Sequence, residues 1–153
     1  MAGIVGLGKA IQLAAADMPA KQAHLVALRD RTIDQILKTI PYTRLNGHAE
    51  SRLPGNVNVS FQFVEGESIL MLLDQKGYAA SSGSACSSGS LDPSHVLLAL
   101  GLSQEEAYGS LRLSYGWENT TEEVDQFLAL LPGLISRLRE HSSQYRALQK
   151  GQI

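Results

Sequence analysis

Cysteine is almost absent from this chain: its 153 residues include one, Cys86. A lone thiol excludes an internal disulfide and any multi-cysteine metal cluster, and such sparing use fits a reducing compartment. Histidine is scarce too, and His24, His48, His95 and His141 show no metal-ligand spacing. Net charge is close to nil: 13 basic and 15 acidic residues leave −2, with no basic stripe to neutralise phosphates. Nucleic acid is therefore not an expected partner. Nothing resembles a secretory leader, because Met1-Ala2-Gly3-Ile4-Val5 lacks a basic start and Lys9 interrupts the apolar run. The expectation is a cytoplasmic protein that binds neither nucleic acid nor membrane.

What is present is enough for one core, since 44% of the residues are hydrophobic in a chain of single-domain length. Near its middle, Ser81-Ser82-Gly83-Ser84-Ala85-Cys86-Ser87-Ser88-Gly89-Ser90 is Ser and Gly except for one Ala and the cysteine. No side chain there can anchor a core, so residues 82–90 are expected to form a mobile loop that leaves the thiol open to solvent. A lone cysteine is more often a small buried hydrophobe. On the local pattern alone, a reactive thiol and a linker that happens to carry a cysteine both remain open.

Helical and strand patterns alternate along the rest. A helical stretch runs from about Gly3 to Ile40 with a break expected at Asp17-Met18-Pro19, because proline suits a helix start better than a helix interior. In its second half Leu25, Leu28, Thr32, Ile36 and Ile40 mark a core face, with Arg29, Arg31, Asp34 and Lys38 on the wet side. Its first half, Ile4 to Ala16, is apolar or small nearly all round and needs cover on more than one side. After turns at Asn46-Gly47-His48 and Leu53-Pro54-Gly55, alternating Val57, Val59, Phe61 and Phe63 predict a half-buried strand. A helix from Ser68 to Lys76 stopping at Gly77 and a short strand from Tyr78 to Ser81 come next.

Asp92-Pro93 reads as the cap and first position of a helix bearing Val96, Leu97 and Leu100, which stops at Gly101. Leu111 and Leu113 alternate with Ser110, Arg112 and Ser114 in another strand. Thr120 and Glu123 form a capping box for a last helix with Val124, Phe127, Leu128, Leu131, Leu134, Ile135 and Leu138 on one face. Pro132 is expected to bend or interrupt it, and the tail beyond Arg146 to fray.

Two motifs need weighing. Gly3-Ile4-Val5-Gly6-Leu7-Gly8-Lys9-Ala10 falls one residue short of a phosphate-binding P-loop, carries Ala10 where a hydroxyl would hold magnesium, and has no strand ahead of it. A helix face of small residues explains it better. His95 could be drawn as a base for Cys86, but a polar residue in the first turn of a helix is the plainer reading. Arg112, alternating with leucines in a strand, reads on its own as a surface residue.

From Ser81 to Gly101, and again at Ser110-Leu111-Arg112-Leu113-Ser114-Tyr115-Gly116, the chain resembles the cysteine desulfurases of pyridoxal phosphate fold type I, in the branch that supplies sulfur for iron–sulfur cluster assembly. Leu53 to Ser60, Val64-Glu65-Gly66-Glu67-Ser68 and Thr120 to Asp125 match in family order, so the likeness runs from Gly3 to about Arg139. The resemblance implies an α/β fold of the α+β kind, namely the small C-terminal domain of such an enzyme. That domain is a short, mostly antiparallel sheet with helices packed on it, behind a long N-terminal helical segment. Residues 1–40 then form a lead-in from a large domain, 41–146 the small domain with the cysteine loop at 81–91, and 147–153 a tail.

The same likeness implies that Cys86 is the nucleophile and persulfide carrier and that Arg112 fixes the substrate α-carboxylate. Pyridoxal 5'-phosphate is the cofactor of the full-length enzyme. None is expected covalently bound here, because Lys9, Lys21, Lys38, Lys76 and Lys150 all lack the Ser-x-His-Lys setting of the family's aldimine lysine. The chain reads as a fragment, inactive alone, of an enzyme that converts L-cysteine to L-alanine and a Cys86 persulfide. Its implied partners are L-cysteine, an iron–sulfur scaffold or other sulfur acceptor, and a second copy of itself. A non-enzymatic sulfur carrier or scaffold-docking module, and a selenocysteine lyase, are the alternatives.

Overall fold

The computed structural model describes residues 1–82 and 93–151. Three short strands form an antiparallel sheet in the order β1 (Thr43–Leu45), β2 (Asn56–Phe61), β3 (Ser110–Ser114). Alternation decides its two faces. Val57, Val59, Phe61, Leu111 and Leu113 point one way and are buried against Ile36 of α1 (Ala2–Thr39) and Ile40 just after it, Ile69 and Leu73 of α2 (Gly66–Asp74), and Phe127, Leu131, Leu134 and Ile135 of α5 (Thr121–His141). Each such side chain contributes about 1.5–3 kcal/mol on leaving water, so this one layer of helices on one sheet face is the main source of stability. Short helices α3 (His95–Ala99) and α4 (Gln104–Tyr108) enclose a smaller cluster of Leu97, Leu102 and Ala107.

Several expectations are met in detail. Thr120 and Glu123 form a reciprocal capping box at the start of α5. Gly77 ends the α2 turn at φ +82, a conformation in which any Cβ is strained. Leu28, Thr32, Ile36 and Ile40 are buried as the periodicity of α1 required.

The break expected at Pro19 is absent from α1, and Pro132 does not interrupt α5. Proline removes one N–H, but Pro19 lies in an exposed stretch where water can satisfy the freed carbonyl, and α5 is held on both sides of Pro132 by Phe127, Leu131, Leu134 and Ile135. Arg29 is buried rather than wet and pairs with Asp30 at 2.7 Å. β2 ends at Phe61; Phe63 sits in the following turn at φ 68. The strand expected from Tyr78 to Ser81 reduces to one bridge, Ser81 with Arg112.

Ser94 occupies the N-cap position of α3 without a side-chain capping bond, so Pro93 precedes the helix rather than opening it; Asp92 lies outside the described residues. Beyond Arg146 the chain stays helical to Gln149 rather than fraying: α6 (Ser143–Gln149) starts at a Ser142 cap, and Tyr145 packs on Tyr42 and Phe63, while residues 152 and 153 lie outside the described residues. The N-terminal half of α1 has no cover at all, and residues 2–20 are exposed throughout.

Candidate functional site

Arg112 stands in the middle of β3 on the sheet face opposite the core. The register pairs it with Asn58, flanked by Asn56 with Ser114 and Ser60 with Ser110, which makes this face polar from end to end. On its other side the Arg112 backbone exchanges two hydrogen bonds with Ser81, at 2.6 and 3.0 Å. Asn58 meanwhile turns its carbonyl toward β1, where it accepts from the Asn46 N–H at 2.9 Å. Arg112 and Asn58 therefore form a non-hydrogen-bonded cross-strand pair, the kind that brings side chains closest.

The rest of the face is a polar network. Asn46 is 3% exposed and donates from Nδ2 to Asn58 Oδ1 at 2.7 Å and to Ser60 Oγ at 2.9 Å. Arg52 fastens the turn below by donating to the carbonyls of Asn46 and His48 at 2.5 and 2.8 Å. Burial and the neighbouring Arg29 lower its affinity for the proton. At the outer edge Arg44 pairs with Glu106 at 3.0 Å, and the Ser103 N–H followed by Arg44 holds that carboxyl below its ordinary range. Arg112 differs from these: among the described residues its guanidinium has no acidic partner and no side-chain hydrogen bond. A half-buried strand arginine without a carboxylate is suited to an anionic ligand, for which it offers a planar pair of donors.

Cys86 lies outside the described residues, as does all but Ser82 of the segment expected to be mobile, 82–90. What is described are its two ends, Ser81 fixed to Arg112 and Pro93 ahead of α3. The structure thus gives Arg112 a defined place and gives no position for Cys86 relative to it.

The glycine-rich start of the chain is helical from Ala2 and forms no phosphate-binding loop, while His95 opens α3 exposed to solvent and its relation to Cys86 lies outside the described residues. Among the described residues, no three His, Cys, Asp or Glu side chains cluster as metal ligands, and no helix is long and apolar enough to cross a membrane. The Asn46–Asn58–Ser60 network escaped sequence reasoning. Its one signal was the polar half of the alternation in β2, which a half-buried strand normally turns to water.

The aminotransferase class-V family profile matches residues 1–127. The chain belongs to that family. Among curated class-V relatives, cysteine desulfurase IscS of Methanosarcina thermophila is 53% identical over 150 residues, covering 95% of this chain and 37% of that protein. Cysteine desulfurase IscS 1 of Archaeoglobus fulgidus is 54% identical over 143 residues, covering 94% and 37%. The chain thus spans little more than a third of the length of the relatives it matches. A solved NifS-like protein superposes with a TM-score of 0.74 at 28% identity, over 88% of this chain and 33% of its own. The NifS-like protein from Rickettsia africae ESF-5 gives 0.73 at 23% identity, over 87% and 34%, and that likeness concerns the fold.

The class-V family implies pyridoxal phosphate in the full-length enzymes, held covalently through a lysine. Lys9, Lys21 and Lys38 lie on α1, Lys76 follows α2 and Lys150 follows α6. Lys21 and Lys38 are engaged with Asp17 and Asp34, and none of the five belongs to the sheet that carries Arg112. The residues present do not fit a covalent seat for the cofactor.

Proposed function

We propose that this chain is the sulfur-accepting, C-terminal part of a cysteine desulfurase. In this reading Cys86 receives the sulfur of L-cysteine and Arg112 holds the α-carboxylate of the same substrate. The observation that carries it is Arg112 itself, a half-buried guanidinium without a carboxylate partner among the described residues, whose strand is bonded to the very residue that starts the cysteine segment. The names of the class-V relatives support the choice of substrate.

The overall chemistry balances without an external oxidant. L-Cysteine and the Cys86 thiol give L-alanine and a Cys86 persulfide: the substrate Cβ–S bond breaks, an S–S bond forms, carbon is reduced and sulfur oxidised. No step is assigned to the cofactor, because the described residues offer it no lysine. Alone, the chain acts as a sulfur carrier rather than as a complete enzyme. A cytoplasmic location, delivery to an iron–sulfur scaffold or another acceptor, and pairing with a second copy complete the proposal.

The test supplies L-cysteine, pyridoxal phosphate and a cysteine desulfurase whose own loop cysteine is replaced by serine, then measures the intact mass of this chain. The expected result is a gain of one sulfur atom, mapped to Cys86 and absent in Cys86→Ser. No gain, under conditions in which inorganic polysulfide still modifies Cys86, would remove the carrier role.

A further inference from the structure

The polar face of the sheet holds one more unspent donor. Asn46 uses both of its Nδ2 hydrogens, one on Asn58 Oδ1 and one on Ser60 Oγ, so the Asn58 amide is oriented with its oxygen inward. Turning both amides over would bury the Asn46 NH2 without an acceptor, whereas the arrangement present leaves only the Asn46 Oδ1 unpartnered, the less costly defect. The Asn58 NH2 is therefore directed away from Asn46, and among the described residues nothing accepts from it. Asparagine is a poor strand former, and its partner Asn46 keeps a buried oxygen without a hydrogen bond, so this arrangement costs stability.

We propose that Asn58 is a second ligand-binding residue of this face, its side-chain amide donating alongside Arg112 to one planar carboxylate. This rests on the reading of Arg112 given above. Two observations carry it: the pair lies at the closest cross-strand spacing a sheet offers, and both half-buried side chains present N–H groups with no acceptor among the described residues. A carboxylate has two coplanar oxygens, and a guanidinium edge with an adjacent amide NH2 can donate to both. Arg44 is paired with Glu106 and Arg52 is spent on carbonyls, so among the described residues Arg112 brings one available positive charge to this face, which matches a carboxylate better than a doubly charged phosphate. The ligand class is a small amino acid, bound through its carboxylate, with the amide excluding isosteres that lack an acceptor.

The test titrates L-alanine into the full isotopically labelled chain and follows the side-chain N–H signals of Asn58 and Arg112, with L-alaninamide as the control that lacks a carboxylate. Both signals shifting with L-alanine and neither with the amide is the expected result. A shift of Arg112 alone overturns the role of Asn58 and leaves that of Arg112 standing; no shift at either overturns both. Asn58→Ser is expected to weaken L-alanine binding about tenfold, the loss of one hydrogen bond to a charged group. Arg44→Gln, which breaks the ion pair with Glu106 at the edge of the same face without touching Asn46, Asn58 or Ser60, is expected to bind as the parent does. Equal weakening in the two variants would show a general loss of sheet integrity rather than a lost ligand contact, and would sink the proposal.

Discussion

The guanidinium of Arg139, near the end of α5, donates from Nη2 to the carbonyl oxygen of Tyr42 at 3.2 Å, across 97 positions of sequence. Nε of the same side chain donates to the Gln62 carbonyl at 3.1 Å, and its plane lies over the rings of Tyr42 and Tyr145 at 5.7 and 5.8 Å. Tyr42 and Phe63 both adopt positive φ, 55 and 68, a conformation unfavourable for bulky side chains. Arg139, 3% exposed, holds the backbone at these two turns. Replacing it with Met keeps volume and loses both charged hydrogen bonds, and the expected cost is about 2 kcal/mol in urea denaturation. Arg139→Lys keeps the charge but serves one carbonyl at a time, so a smaller loss is expected. A Met variant as stable as the parent would show that the aromatic contacts alone hold these turns.

Acid sensitivity should centre on the caps. The Glu123 carboxylate accepts from the Thr120 N–H at 3.0 Å and from Asn119 Nδ2 at 3.2 Å, and these bonds, the backbone one foremost, hold it below its ordinary range. A carboxyl whose folded pKa is depressed lends stability that is present above its unfolded value, about 4.3, and is lost as pH falls through the folded value. Gln at 123 can still accept from the same groups but does not titrate. In denaturation midpoints collected between about pH 3 and pH 6, Glu123→Gln should therefore flatten the fall in stability at the acid end. A variant curve parallel to the parent's would place the acid response elsewhere, with Glu106 the next candidate since the Ser103 N–H and Arg44 depress it in the same direction.

Amphipathic order made the fold readable. The spacing of Leu28, Thr32, Ile36 and Ile40 and the alternation of Val57 with Val59, and of Leu111 with Leu113, name most of the core because one face of each element must leave water. β1 was invisible, since three residues carry no period, and so was α4, whose five residues are defined by the Ser103 cap rather than by hydrophobicity. Pro19 misled because its local penalty is met by solvent along α1, and packing on both sides of Pro132 keeps α5 continuous. Arg112 was readable only through resemblance, while Asn46 and Asn58 were not, because their bonding depends on the β1–β2 register.

Cofactor chemistry gives a direct prediction. With five lysines all off the sheet, the chain mixed with pyridoxal phosphate should show no stable imine absorbance and, after borohydride reduction, no single modified lysine. It should also release no sulfide from L-cysteine beyond the rate seen with Cys86→Ser. Stoichiometric labelling of one lysine would demand a site that the described geometry does not contain.

Self-association is the last expected behaviour, and it follows from α1. Ile4, Leu7, Ile11, Ala14 and Met18 are spaced three and four apart, which draws one seam along the helix, and half-buried Leu25 and buried Leu28 continue it in phase. Along the exposed part Ile4 is 74% accessible and Ile11 60%, over a stretch of twenty residues that reaches about 30 Å at 1.5 Å per residue. Gly3, Gly8, Ala10 and Ala15 flank the seam and let a second helix approach closely. A solitary helix with three glycines in its first turns is unstable in water, since each costs about 1 kcal/mol relative to Ala, so the ordered helix needs a partner. Sedimentation of the 153-residue chain at micromolar concentration should therefore report a dimer. Ile11→Lys, which puts a charge on the seam while leaving the sheet untouched, should return a monomer with reduced helix content and an unchanged core transition. A parent chain that sediments as a clean monomer, with this helix folded or melted, would refute pairing through α1.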